Sequence, residues 1–80
     1  MTLSKAFSVR LMELLIKNNM SKYRLEKESG LTHSALAHIF RGSNQDVKLS
    51  SIAKVARVFG MTLTEFFDDK VFDLTIIDFE

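Results

Sequence analysis

The sequence has no cysteine, no proline and only three glycines in 80 residues. Without cysteine there is neither a disulfide framework nor a thiolate metal site, and a reducing compartment is the natural expectation. With so little proline and glycine there is not enough turn chemistry for a many-stranded sheet, so helices are expected to dominate. No apolar run approaches the roughly 18–20 residues of a membrane span, and the basic-then-apolar layout of a signal peptide is missing. Low-complexity tails are missing too. What is present is 46% hydrophobic and 26% charged residues, which predicts one small, soluble, cytoplasmic domain near the lower size limit for folding on a single core.

The formal net charge of +1 conceals an asymmetry. Residues 1–60 hold ten Lys/Arg against four Asp/Glu, whereas residues 61–80 hold one Lys against six Asp/Glu. A basic body with an acidic tail suggests a polyanionic partner for the body alone; ordinary surface charge is the alternative.

Apolar periodicity divides the body into short amphipathic helices. Ser4 is a suitable N-cap for a first helix ending near Asn18, with Phe7, Leu11, Leu14 and Leu15 along one face. Ser21 caps a second helix that Gly30 terminates, and Thr32 caps a third, over residues 33–41, that Gly42 terminates. After a polar loop, a fourth helix spans residues 49–59 with Leu49, Ile52, Ala53, Ala56 and Phe59 in register, and Gly60 stops it. Thr62 and Glu65 have capping-box spacing and open a short fifth helix holding Leu63, Phe66 and Phe67.

Residues 71–79 change character, being rich in β-branched and aromatic types, with Phe72, Leu74 and Ile76 on one side of a period-2 template. They read as a strand or extended tail. A lone strand must find a partner for its backbone groups, and a second copy of the chain is the simplest supplier. Val9, Met12 and Ile16 form a second apolar line on the first helix, expected to be covered by the C-terminal segment of the same chain or of a partner.

The stretch most informative about function is SKYRLEKESGLTHSALAHIFRG, residues 21–42. Two helices meet at a turn built on Gly30, with Leu25, Leu36 and Ile39 spaced to pack the pair together, the layout of a helix-turn-helix. In these residues the sequence resembles the phage repressor and Cro-like family (lambda repressor-like, XRE-type). The likeness takes in the Phe7/Leu11/Leu14 stripe, Arg41-Gly42, the run LSSIAKVARVFG ending at Gly60, and MTLTEFF ending at Phe67, or about residues 5–67.

The resemblance implies an all-α, compact five-helix bundle, taken over residues 1–69; residues 70–80, from their own pattern, are expected to be an extended segment that dimerises through Phe72, Leu74 and Ile76. It also implies a sequence-specific transcriptional regulator, a repressor of bacterial or phage type, binding double-stranded DNA as a homodimer. Thr32, His33, Ser34 and His38 would then meet base edges in the major groove, although solvated surface positions are the plainer reading of the two histidines. Lys22, Tyr23, Arg41, Ser43, Asn44 and Lys48 would lie against phosphates, and Gln45 could join them. Tyr23 either donates to phosphate or covers the seam. Asp46 must point away, and Arg10, Lys17, Lys27, Lys54 and Arg57 are expected to be solvated charges.

Two positions depart from the family pattern. Glu26 stands where a small residue is usual, so its stem must bend outward or the helices must open. Leu15 and Phe40 replace an Arg–Glu pair and are expected to touch, since exchanging both members of a buried pair for apolar groups is often neutral or stabilising.

Enzyme chemistry finds little support. His33 and His38 lie five apart without Cys, Asp or Glu on their helix, Ser34 beside His33 is not a triad, and Asp68-Asp69 lacks calcium-loop spacing. Neither cofactor, metal nor small-molecule substrate is expected. The rival to a DNA regulator is a protein-interaction or antitoxin-like module on the same fold, using the acidic, apolar tail.

Overall fold

In a computed structural model, which describes residues 1–42 and 46–79, the chain folds as helices α1 (Leu3–Lys17), α2 (Lys22–Ser29), α3 (His33–Arg41), α4 (Leu49–Val58) and α5 (Leu63–Phe67). A single 3-10 turn, Lys70–Phe72, follows. The five expected helices are therefore present, and side-chain capping accounts for most of their N-terminal boundaries. Ser21 Oγ accepts from Arg24 N at 3.1 Å, and Thr32 Oγ1 accepts from Ala35 N at 3.0 Å. Thr62 and Glu65 close a full capping box, with bonds of 3.1 and 2.8 Å. Each of these bonds satisfies an amide that the first helical turn leaves without a partner.

At its C-terminus α1 stops without glycine. Asn19 takes the left-handed conformation (φ 50°), while Met20 N bonds Leu15 O at 2.9 Å and Asn19 N bonds Ile16 O at 3.2 Å. That is a Schellman closure with Asn in the position Gly usually fills.

The helices enclose one core. Leu11, Leu25, Ile39, Ile52, Val55 and Phe66 are almost completely buried, with α1 packed on α3 and α2 packed on α4. Leu15 is buried and Phe40 half-buried, and both belong to this one apolar cluster. Beneath α1, Phe7, Phe66, Phe67 and Phe72 form a ring cluster with centroid separations of 5.0–6.1 Å, mostly edge-on or tilted. Those geometries suit the aromatic quadrupole better than face-to-face stacking.

Three expectations need correction. The first concerns the N-cap of α1, which is Thr2 and not Ser4: Thr2 Oγ1 accepts from Lys5 N at 3.1 Å. The helix can start early because the tail holds the residue before it, Asp78 N donating to Met1 O at 2.8 Å and the Asp78 carboxylate lying 3.2 Å from the terminal amine.

The second is the strand over residues 71–79, which does not form. Among the described residues the only β pairing is an isolated parallel bridge, Thr2 with Asp78. Aspartates curl the chain instead. Asp69 Oδ1 accepts from Val71 N at 2.9 Å, and Asp73 Oδ1 accepts from Thr75 N at 2.9 Å and from the Thr75 hydroxyl at 2.8 Å. Such local side-chain bonds compete with a ladder. Val71 and Ile77 are buried against Ala6, and Phe72 joins the ring cluster of its own chain, so the tail leaves Val9, Met12 and Ile16 exposed.

The third is Arg10, which is a buried ion and not a solvated one. Its guanidinium donates to Phe66 O at 2.8 Å, Glu65 O at 3.0 Å, Glu13 at 2.9 Å and Asp69 at 3.3 Å. It thereby joins α1 to the end of α5 and to the start of the tail.

The Asp69 carboxyl is held below the usual carboxylate range, chiefly by the hydrogen bond from Val71 N; burial opposes this, and the Arg10 charge adds to it. A carboxylate whose pKa is lower folded than unfolded stabilises the fold above its unfolded pKa, and that contribution fades as pH falls through the folded pKa. Urea midpoints are therefore expected to be flat around neutrality and to drop below about pH 5. Asp69→Asn should flatten that drop, and an unchanged acid slope in the variant would remove Asp69 from the explanation.

Candidate nucleic-acid interface

The turn between α2 and α3 is fixed by Gly30 (φ 76°) and by Ser29, whose buried hydroxyl accepts from Leu31 N at 3.2 Å and donates to Glu26 O at 3.3 Å. With Leu25, Leu36 and Ile39 buried beneath it, the turn presents the N-terminal end of α3 outward. Thr32, His33 and Ser34 are all exposed there, and the His33 side chain is 85% exposed. Nothing in the described chain plugs this end. One carboxylate reaches it, Glu26, with Oε1 2.8 Å from His33 Nδ1.

The expected phosphate-side residues within the described chain are exposed on α2, at the far end of α3 and at the start of α4. Lys22 opens α2, exposed, with its Nζ 4.5 Å from the centre of the Phe40 ring, a cation–π position. Tyr23 is exposed, its ring 5.1 Å from Lys27 Nζ, so its hydroxyl is not buried in the seam. Arg41 is exposed at the end of α3, and Lys48 is exposed at the N-cap of α4, which has no side-chain cap bond. Lys22, Tyr23, Glu26, His33, Phe40 and Arg41 share one open groove between α2 and α3. Ser43, Asn44 and Gln45, also expected near phosphate, lie outside the described residues.

His38 is placed differently from His33. It is half-buried, and its Nε2 lies 3.1 Å from Asp46 O. A carbonyl only accepts, so Nε2 carries the proton and Nδ1 is what remains to meet another group. Asp46 thus uses its backbone to tie the loop to α3, while its side chain stays exposed.

Of the tail residues expected at a dimer contact, Leu74 and Ile76 are exposed, at 64% and 53%, whereas Phe72 is committed to its own core. Sequence reading missed the partnership of Glu26 with His33. The available signal was the unusual Glu26 itself, one helical turn before the Ser29-Gly30 bend.

A family model described as a Cro/C1-type HTH DNA-binding domain matches residues 10–71. No curated protein and no solved structure matches the chain.

Proposed function

The chain belongs to the Cro/C1-type helix-turn-helix DNA-binding domain family, and from that premise we propose that it is a sequence-specific transcriptional repressor of bacterial or phage type. The observation that carries the reading is the exposed N-terminal end of α3, with Lys22 at the start of α2, Arg41 at the far end of α3 and Lys48 at the cap of α4 exposed as well. Thr32, His33 and Ser34 meet base edges in the major groove, and His38 adds Nδ1 one turn further along. Lys22, Tyr23, Arg41 and Lys48, joined by Ser43 and Asn44, contact phosphates and set the register. The protein acts as a homodimer through the exposed Leu74 and Ile76, while Phe72 stays in its own core. Its two α3 helices then lie about 34 Å apart, one DNA turn, on a roughly palindromic site.

Binding measured against salt tests this reading. Lys22→Ala and Arg41→Ala should each weaken binding on every duplex and reduce the slope of log K against log salt by about one. Unchanged affinity and slope in both variants would refute the docking. A second reading, a protein-interaction module, draws on Leu74, Ile76 and Phe79 standing exposed beside Asp73 and Asp78. A salt-dependent mobility shift on genomic fragments separates the two, since the interaction module retards none.

A further inference from the structure

His33 stands exposed at the end of α3, yet its ring is not free to choose an orientation. Glu26 Oε1 lies 2.8 Å from Nδ1, and the Glu26 side chain is only 32% exposed against 85% for His33. The better-fixed member of the pair is therefore the carboxylate, on α2, and it reaches across the turn to hold a ring on α3. An ionised carboxylate can only accept, so Nδ1 must carry a proton. In the neutral ring this leaves Nε2 as an unprotonated acceptor on the far, solvent side.

The neighbouring cations do not compete for the carboxylate. Lys22, one turn earlier on α2, has its Nζ over the Phe40 ring, and Arg24 is paired with Glu28. Among the described residues, His33 is the ion-pair partner of Glu26.

We propose that Glu26 is a positioning residue for base recognition: it fixes the His33 tautomer, so that Nε2 accepts from an exocyclic amino group, adenine N6 or cytosine N4, in the major groove. Major-groove edges of guanine and thymine offer no such donor, so with either at that position the amino group lies on the opposite strand, out of line with Nε2. This inference rests on the DNA-reading function proposed above. It also gives a use to a carboxylate that otherwise lies, unhelpfully, beside a phosphate-binding face.

Two measurements on the full chain test it. In the free protein, ring 15N shifts of His33 should show Nδ1 protonated and Nε2 bare, and Glu26→Ala should abolish that bias. Alanine suits the middle of a helix, so this variant is expected to fold.

In a selection from random duplex DNA, the wild-type chain should prefer adenine or cytosine at one position by about fivefold, the worth of one net hydrogen bond. Glu26→Ala and His33→Ala should each lose the preference at that same position, the double variant should lose nothing more, and the salt slope should stay unchanged. A role for Glu26 in folding alone would weaken every position together. An Nε2-protonated ring, selection of guanine or thymine there, or a preference that survives Glu26→Ala overturns the assignment while leaving the DNA reading intact. A folded chain that binds no duplex overturns the DNA reading itself, and this inference with it.

Discussion

Arg10→Ala is expected to cost about 3–5 kcal/mol, the usual consequence of removing one member of a buried ion pair. The side chain is nine-tenths buried, and its guanidinium satisfies the backbone carbonyls of Glu65 and Phe66 and the carboxylates of Glu13 and Asp69. It also lies 5.8 Å from the centre of the Phe66 ring, which is fully buried. Truncation strands Asp69, itself largely buried, and uncaps the carbonyl end of α5. Domains of this size have total stabilities toward the low end of about 5–15 kcal/mol, so the variant should be substantially unfolded at 37 °C. Urea unfolding measures the loss. Adding Asp69→Asn to Arg10→Met should recover part of it, because a neutral partner leaves no buried charge unpaired. A loss below about 1 kcal/mol would mean that Arg10 behaves as an ordinary surface charge.

Gly42→Ala is expected to cost about 2–5 kcal/mol, from two sources that can be separated. Gly42 has φ 60°, where a Cβ costs about 1–2 kcal/mol. A Cβ there would also lie 3.2 Å from Lys5 Cα and from Ser8 Cβ, and 3.1 Å from Lys5 Cδ. The lysine tip can swing away; the backbone of α1 cannot, and overpacking adds about 1–3 kcal/mol. This is the seam where Ser8 Oγ donates to Phe40 O at 2.8 Å, so the variant also loosens the seat of α3 on α1. Gly30→Ala is the control. Its φ of 76° carries the conformational cost, but a Cβ there meets nothing within 4 Å. The difference between the two variants, read from urea midpoints, isolates the packing part; equal losses would show that Gly42 is needed for its backbone conformation alone.

The features legible in the sequence were those whose causes are local. Ser21, Thr32 and Thr62 cap helices through bonds to residues three positions on, and Gly30 and Gly42 stop helices by adopting positive φ. The helix-turn-helix and its exposed leading end follow from such short-range rules together with the buried spacing of Leu25, Leu36 and Ile39.

What escaped the sequence depends on partners far along the chain. Arg10 looked solvated because its carbonyl partners lie 55 and 56 residues away. Thr2 was passed over as a cap because its placement requires the tail to return and grip Met1. The tail itself has the alternation of a strand, but Asp69 and Asp73 bond their own backbone neighbours and bend it. Glu26 and His33 lie only seven residues apart, yet their bond depends on both side chains turning toward each other across the bend, which spacing alone does not specify.

The central claim is that the leading end of α3 enters a DNA groove. Backbone amide shift mapping tests it most directly, with a duplex drawn from the selected pool added at two salt concentrations. The expected result is that perturbations gather at residues 21–23, 32–34, 38 and 41 and weaken as salt rises. Perturbations confined to residues 71–79, or to the α1 face bearing Val9, Met12 and Ile16, would contradict it.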